Sequence, residues 1–179
     1  LQFFEPPTEG SRKGILVVVR RGEETFGFPC DEALPLLGRS LVVVVTPRFA
    51  RGAWSAAERA TTERVAALSG RSLDALAVWD VIRAVRWACK RSGTAGADVT
   101  LYGRREAGVI ALYSALFEAT IDHVVVDEPP RTHRIAPVFP SVLRVCDVPE
   151  AAACLAPRRL TFLGELAENR SAESRRVML

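Results

Sequence analysis

Five short apolar runs divide this chain. Two of them, residues 15–19 and 41–45, are uninterrupted and mostly β-branched, and three more cover residues 99–102, 124–126 and 160–163. A strand that is apolar throughout is buried on both faces, as in a parallel sheet that is covered by helices. The pattern therefore predicts a mostly parallel sheet of about five strands.

Helical patterns separate these runs, over residues 53–68, 72–90, 106–117 and 150–155. Ser55 and Ser72 stand where N-caps are expected, and Pro157 ends the last pattern. Trp79 and Trp87 lie near one face of the second helix and are predicted in the core. Because strands and helices alternate, we predict an α/β fold, a three-layer sandwich with right-handed crossovers.

Length and charge limit the class of protein. The 179 residues are enough for a sizeable core, and we predict a single domain over residues 1–179. The net charge is only +3 and the arginines are scattered, so no nucleic-acid partner is expected. No apolar run approaches the ~18 residues that span a bilayer. The chain begins at Leu1 instead of methionine, so the possibility that it is a fragment of a longer polypeptide stays open. Both a cytoplasmic location and secretion after processing also stay open.

Cysteines and glycines give no sign of a metal or a cofactor. The four cysteines are far apart, without a C-x-x-C pair, and are predicted as buried free thiols: Cys30, Cys89, Cys146 and Cys154. Gly103 and Gly108 are not followed by the Lys-Ser/Thr of a P-loop and lack the central glycine of a dinucleotide fingerprint. We therefore expect no metal and no cofactor.

One strand-to-helix junction carries the most specific pattern. The apolar run over residues 99–102 ends at Gly103, and a helical pattern begins at Glu106. A G-x-S-x-G nucleophile elbow has the same layout. Here the third position holds Arg105, and the glycine comes one place late, at Gly108. An arginine stays protonated and cannot attack a carbonyl, so the predicted elbow has no nucleophile.

Three segments together, residues 71–84, 101–108 and 147–160, resemble bacterial acetyl-xylan-esterase-like members of the α/β-hydrolase superfamily. The resemblance covers roughly residues 15–165. Residues 101–108 resemble the elbow in a subset of these proteins that has lost the nucleophilic serine. It implies an α/β-hydrolase-like domain that is incomplete at its ends. It also implies an acid after the run 160–163, where Glu165 is the match, and a histidine after one further strand, beyond the last residue of this chain.

Charged residues follow the predicted strands at the edge where the carboxyl ends of a parallel sheet meet and ligands bind. The catalytic candidates are Glu106, Asp127, His133 and Glu165, and the ligand-binding candidates are Arg48 and Arg105. Four of them are weighed against a structural alternative. Arg105 either binds an anion or pairs with a local carboxylate such as Glu106 or Asp127. Glu106 is either a base or a first-turn carboxylate that favours the helix dipole. Asp127 is either part of an acid pair with Glu128 or solvated, and His133 is predicted in an exposed loop.

The principal hypothesis is a catalytically degenerate hydrolase-like domain with a binding, docking or oligomerisation role. One alternative is an active carboxylic-ester hydrolase with an unconventional or partner-completed site. Another is a module for a small anionic ligand. Open edge strands predict a protein partner or a homo-oligomer.

Overall fold

A six-stranded sheet forms the centre of the structure, in the order β1-β3-β2-β4-β5-β6. The strands are β1 (Gln2–Phe4), β2 (Gly14–Val19), β3 (Ser40–Val45), β4 (Asp98–Arg104), β5 (His123–Asp127) and β6 (Arg159–Leu163). Strands β2 to β6 are parallel to their neighbours, and β1 pairs antiparallel with β3. The predicted α/β class and its mostly parallel sheet are confirmed. Strand β1 is an addition, because three residues are too few to show a periodic pattern.

The computed structural model describes residues 2–4, 14–21, 40–48, 54–92, 98–135 and 137–163. Its helices are α1 (Ala56–Leu68), α2 (Leu73–Ser92), α3 (Glu106–Phe117) and α4 (Val148–Ala153), with a short 3-10 turn at Val142–Arg144. The predicted helix over residues 106–117 has the observed bounds. The last predicted helix starts earlier than expected, because Asp147 caps it with its own side chain.

The core lies between the sheet and helices α2 and α3. All of β2 except its first residue is buried, and so is all of β3, as strands covered on both faces require. Alternate residues such as Val17, Val43 and Leu101 belong to the main core cluster with Val81 and Ile110 of the helices. Because α3 is buried along most of its length, the position of its first turn is tightly constrained.

Local capping chemistry explains where the helices begin. The Ser55 hydroxyl accepts a hydrogen bond from the Glu58 amide, and the Glu58 carboxylate accepts one from the Ser55 amide, which completes a capping box. The Ser72 hydroxyl accepts from the Ala75 amide at 3.1 Å. Both predicted N-caps are therefore confirmed.

The packing prediction for the two tryptophans is wrong, and the prediction of buried free thiols holds only in part. Trp79 and Trp87 are 47% and 36% exposed, because Val78, Val81 and Val85 take the inner face of α2 and leave the indoles outside. Among the cysteines of the described residues, two are half-buried and one, Cys154, is exposed, while Cys30 lies outside the described ranges.

Within the described residues, none of the helices combines the length and the apolar character that a membrane crossing requires.

Candidate functional site

The junction of β4 and α3 is a sharp bend with Arg105 at its apex. Arg105 has φ 52° and ψ −124°, a region that non-glycine residues rarely occupy. A Cβ atom on Gly103 would lie 2.5 Å from the Ala107 carbonyl oxygen, and one on Gly108 would lie 2.4 Å from Val126 Cγ1. Both glycines are thus required by close packing of strand against helix. The bend expected from the sequence is present.

Backbone hydrogen bonds hold this bend against the neighbouring strand. The Arg105 amide donates to the Asp127 carbonyl at 2.7 Å, and the Gly108 amide donates to the Arg105 carbonyl at 3.0 Å. Strain in such a region costs of order 1–3 kcal/mol and persists only where the surrounding structure enforces it. The elbow conformation is therefore maintained by packing and hydrogen bonding around Arg105.

The side chain of Arg105 is 70% exposed, and its Nε lies 3.7 Å from Glu128 Oε2. The structural alternative was a local carboxylate such as Glu106 or Asp127, and the carboxylate found beside Arg105 is that of Glu128. Glu128 takes the role because β5 ends beside β4 and the next residue turns towards the elbow, with φ 47°. The same Glu128 oxygen accepts from Arg104 Nη2 at 2.7 Å. One carboxylate therefore faces two guanidinium groups.

Glu106, a candidate base, is bound by an arginine. Arg21 is 8% exposed, and its Nη1 lies 2.9 Å from Glu106 Oε2, an ion pair without hydrogen-bond alignment. Arg21 Nη2 lies 2.6 Å from Asp74 Oδ1 at the start of α2. The other Asp74 oxygen accepts from the Val138 amide at 2.6 Å. This largely buried chain of contacts joins four segments, namely those after β2 and after β5 and the first turns of α2 and α3, and it makes Glu106 an ion-pair partner.

Sequence reasoning missed Arg21. It lies two residues after the end of β2, at the same sheet edge as the elbow, and this position is the signal that could have identified it. Sequence reasoning also missed Asp74, because a carboxylate in the first turn of a helix is common and does not indicate a buried ion pair.

Asp127 and Glu128 do not form the acid pair that we considered. Asp127 Oδ2 accepts from the Tyr102 hydroxyl at 3.0 Å and lies 3.3 Å from Arg104 Nε. The hydrogen bond with Glu128 raises the pKa of Arg104, and the negative charges of Glu128 and Asp127 add to this effect. Each carboxylate therefore neutralises a guanidinium.

Arg48 has a carboxylate partner on α2. Its Nε donates to Asp80 Oδ2 at 2.9 Å, and its backbone amide donates to the same oxygen at 3.0 Å. The hydrogen bond with Asp80 raises the pKa of Arg48. Arg48 and Arg105, the two candidate anion ligands, are therefore paired with carboxylates on different elements.

His133 is buried, contrary to the exposed loop that we predicted. The chain after β5 folds back onto α3, where the His133, Tyr113 and Phe139 rings pack with centroids 4.5 to 5.4 Å apart. Its Nδ1 lies 3.0 Å from the Pro137 carbonyl oxygen, which can only accept, so we assign the ring proton there. Nε2 then accepts from the Tyr113 hydroxyl at 2.8 Å. Burial raises the pKa of Tyr113.

Among the described residues, the His133 ring is not hydrogen-bonded to Glu106 or Asp127, so these three catalytic candidates do not form a triad. The His133 ring contacts Tyr113 and Pro137, and His123 Nε2 lies 2.9 Å from Thr161 Oγ1, so neither described imidazole is bonded to a carboxylate side chain. Burial lowers the pKa of His123. Glu165 lies outside the described residues. Over the described ranges no cluster of His, Cys, Asp and Glu side chains could hold a metal ion.

Comparison with known proteins gives structural matches. No family model matches the chain. The curated protein sequences also contain no match. A Bacteroides fragilis structure assigned as an acetyl xylan esterase superposes with a TM-score of 0.69 at 14% identity, over 90% of this chain and 54% of that one. An acetyl xylan esterase from Paenibacillus sp. R4 gives 0.52 at 18% identity, over 78% of this chain and 49% of that one.

A glucuronoyl esterase of carbohydrate esterase family 15 from Caldicellulosiruptor kristjansonii gives a TM-score of 0.56 at 12% identity, over 89% of this chain and 55% of that one. This chain spans about half the length of these structures. At such low identity the matches define the fold, which is α/β-hydrolase-like. The matched proteins carry the names of carboxylic-ester hydrolases.

Proposed function

We propose that this chain is a catalytically degenerate α/β-hydrolase-like domain that binds, docks or oligomerises. The observation that carries the proposal is Arg105 at the apex of the elbow, at φ 52°. In the hydrolase elbow this position presents the nucleophile. A protonated guanidinium has no lone pair to offer to a carbonyl carbon.

The surrounding acids and imidazole support the same proposal. A general base must reach the proton that it abstracts. Glu106 is paired with Arg21, and Asp127 with Tyr102 and Arg104. His133 is held inside an aromatic cluster. These side chains stabilise the fold around the bend, and none is presented as a base beside Arg105.

Turnover of p-nitrophenyl acetate tests the proposal. The protein and its Arg105→Ala and Glu165→Ala variants are expected to show no saturable hydrolysis above buffer. Glu63→Ala on the exposed helix α1 is the matched control for a lost carboxylate. Saturable turnover that disappears in Glu165→Ala or Arg105→Ala, but not in Glu63→Ala, would refute the degenerate assignment.

A second candidate function is an active carboxylic-ester hydrolase whose site is unconventional or completed by another chain. The retained strain at Arg105 favours it, because non-glycine residues adopt such angles mainly where function or packing requires them. Labelling with a fluorophosphonate probe, mapped by mass spectrometry, separates the two candidates. A modified side chain supports the hydrolase, and an unmodified protein supports the degenerate domain.

The third candidate is a module for a small anionic ligand. The side chain of Arg105 is largely exposed, and that of Arg48 is 52% exposed. Calorimetric titration with inorganic phosphate tests this role. If the role is correct, Arg105→Glu abolishes the binding heat and leaves Tm nearly unchanged.

For the partner we propose self-association or a covering domain at the sheet edge. Among the described strands, β6 has a neighbour on one side only, β5. Open edges pair with other chains. Sedimentation velocity is expected to show an oligomer, or a partner complex when a covering chain is co-purified; a stable monomer at all concentrations would contradict both.

A further inference from the structure

One face of α2 combines exposed indoles with positive charge. Six side chains of this face lie at positions i, i+4, i+7, i+8, i+11 and i+12, which share one side of a helix. The stretch is about 18 Å long. All are exposed: Trp79, Arg83, Arg86, Trp87, Lys90 and Arg91, called here the Trp–Arg face. None of them lies at the elbow.

Each tryptophan ring lies close to the guanidinium of an arginine further along the same helix. The Arg86 guanidinium carbon lies 5.9 Å from the centre of the Trp79 ring, and that of Arg91 lies 5.8 Å from the Trp87 ring. A guanidinium over an indole is attracted by the ring quadrupole. Such contacts restrain long side chains before any partner arrives, which lowers the entropy cost of binding.

The face has an excess of positive charge. Of the acids beside it, Asp80 is bound by Arg48, and Glu118 is bound by Arg86 at 2.5 Å. Across the segments that the structure describes, neither Arg83 nor Lys90 has a carboxylate within ion-pair distance. A complementary surface must therefore bring carboxylates to these two positions.

We propose that the Trp–Arg face of α2 docks an acidic polypeptide segment of a partner protein, with apolar side chains between its carboxylates. Tryptophan and arginine are the residues most enriched at the energetic centres of protein interfaces. The carboxylates pair with Arg83 and Lys90, and the apolar groups cover the exposed indoles of Trp79 and Trp87.

Two other occupants fit less well. Single-stranded nucleic acid stacks its bases flat on aromatic faces, and one face of each indole already lies against a guanidinium, whereas apolar side chains need only the ring surface that stays exposed. A symmetric pair of copies would bring the same cations against each other, because a twofold contact uses one patch twice. The proposal goes beyond the role argued for the elbow, and its failure would leave that role untouched.

Fluorescence anisotropy with a labelled synthetic peptide of repeating Glu-Leu-Glu units tests the proposal. We expect saturable binding that weakens with added salt. The double variant Arg83→Glu/Lys90→Glu is expected to raise Kd by at least about tenfold. The double variant Arg134→Glu/Arg144→Glu makes the same charge change on exposed residues elsewhere and is expected to leave Kd unchanged.

Three further measurements make the test decisive. Trp79→Ala is expected to weaken peptide binding without changing its salt dependence, because it removes an apolar contact. Equal loss in both double variants, or no binding of the peptide, overturns the proposal. Preferential binding of oligothymidylate, or a self-association that Arg83→Glu/Lys90→Glu abolishes, also overturns it and identifies the other occupant.

Discussion

The elbow leads into α3, and the excursion after β5 (residues 128–135 and 137–147) packs against Tyr113 of the same helix, but the two regions place polar groups in opposite ways. At the elbow the charged side chains are paired with one another, and the apex residue Arg105 stays exposed. In the excursion His133 is buried and bonded to Tyr113. The comparison teaches that residue type alone does not identify chemistry. The exposed, strained position has no nucleophile, and the titratable residue that could serve as a base has a structural role.

The largest expected effect concerns Arg21, which holds Glu106 of the elbow and Asp74, whose other oxygen binds the excursion at Val138. Arg21→Ala removes the guanidinium that lies against two largely buried carboxylates. We expect the free energy of unfolding to fall by about 3–5 kcal/mol, as for other broken buried pairs. Urea denaturation measures it, and a loss below about 1 kcal/mol would contradict the inferred coupling of the two regions.

The next effect concerns the close approach of the elbow to its neighbours. In Gly108→Ala the new Cβ would lie 2.4 Å from Val126 Cγ1 and 2.7 Å from the Gly103 carbonyl oxygen. We expect a loss of about 2–3 kcal/mol, since overpacking forces side chains and backbone to shift.

Gly70→Ala is the matched control, because Gly70 has φ +69° but no atom within 4 Å of the new Cβ. It should cost about 1 kcal/mol, from backbone strain alone. Equal losses at the two glycines would mean that packing does not enforce the elbow.

A smaller effect belongs to the excursion, at Asp147. Burial alone would raise the pKa of Asp147, but hydrogen bonds from Thr132 and from the His133 and Val148 amides lower it overall. Its contribution to stability is therefore complete above the unfolded pKa of about 4 and is lost as pH falls through the lower, folded value.

In Asp147→Asn the drop in stability below about pH 4 should be shallower, whereas the stability near pH 7 falls by about 1 kcal/mol or less. Denaturation curves over this pH range measure both quantities. A stability that falls as steeply at acid pH in the variant as in the unchanged protein would show that the carboxylate does not stabilise the folded excursion.

The smallest effect has the opposite sign. Arg105→Gly removes the strain of a positive φ at the elbow, which stabilises the folded protein. The greater conformational freedom of glycine in the unfolded chain partly offsets this gain. We expect a net gain of up to about 0.5 kcal/mol in the free energy of unfolding, and Arg105→Ala should change it by less than that. A clear destabilisation by Arg105→Gly would show that the guanidinium contributes more than its long contact with Glu128 suggests.

Prediction from sequence succeeded where the physics is local. The apolar runs, the caps at Ser55 and Ser72 and the bend after Gly103 each depend on neighbouring residues. It failed for Trp79 and Trp87, since the spacing of the two indoles shows that they share a face but not which face meets the sheet. It did not single out Glu128 beside Arg105, because the positive φ that follows β5 is not visible in the sequence. It failed for His133, because charged neighbours along the chain suggested solvent.

The amino-acid pattern alone determined the order of strands and helices and the cationic residue at the apex of the bend, since hydrophobic periodicity and glycine placement act over a few residues. Tertiary structure alone decided that Arg21 joins Asp74 to Glu106, that His133 is packed against Tyr113, and that the indoles of α2 face outward. These outcomes depend on which segments meet at a sheet edge and on how a helix is rotated about its axis. Both are set by the packing of the whole domain.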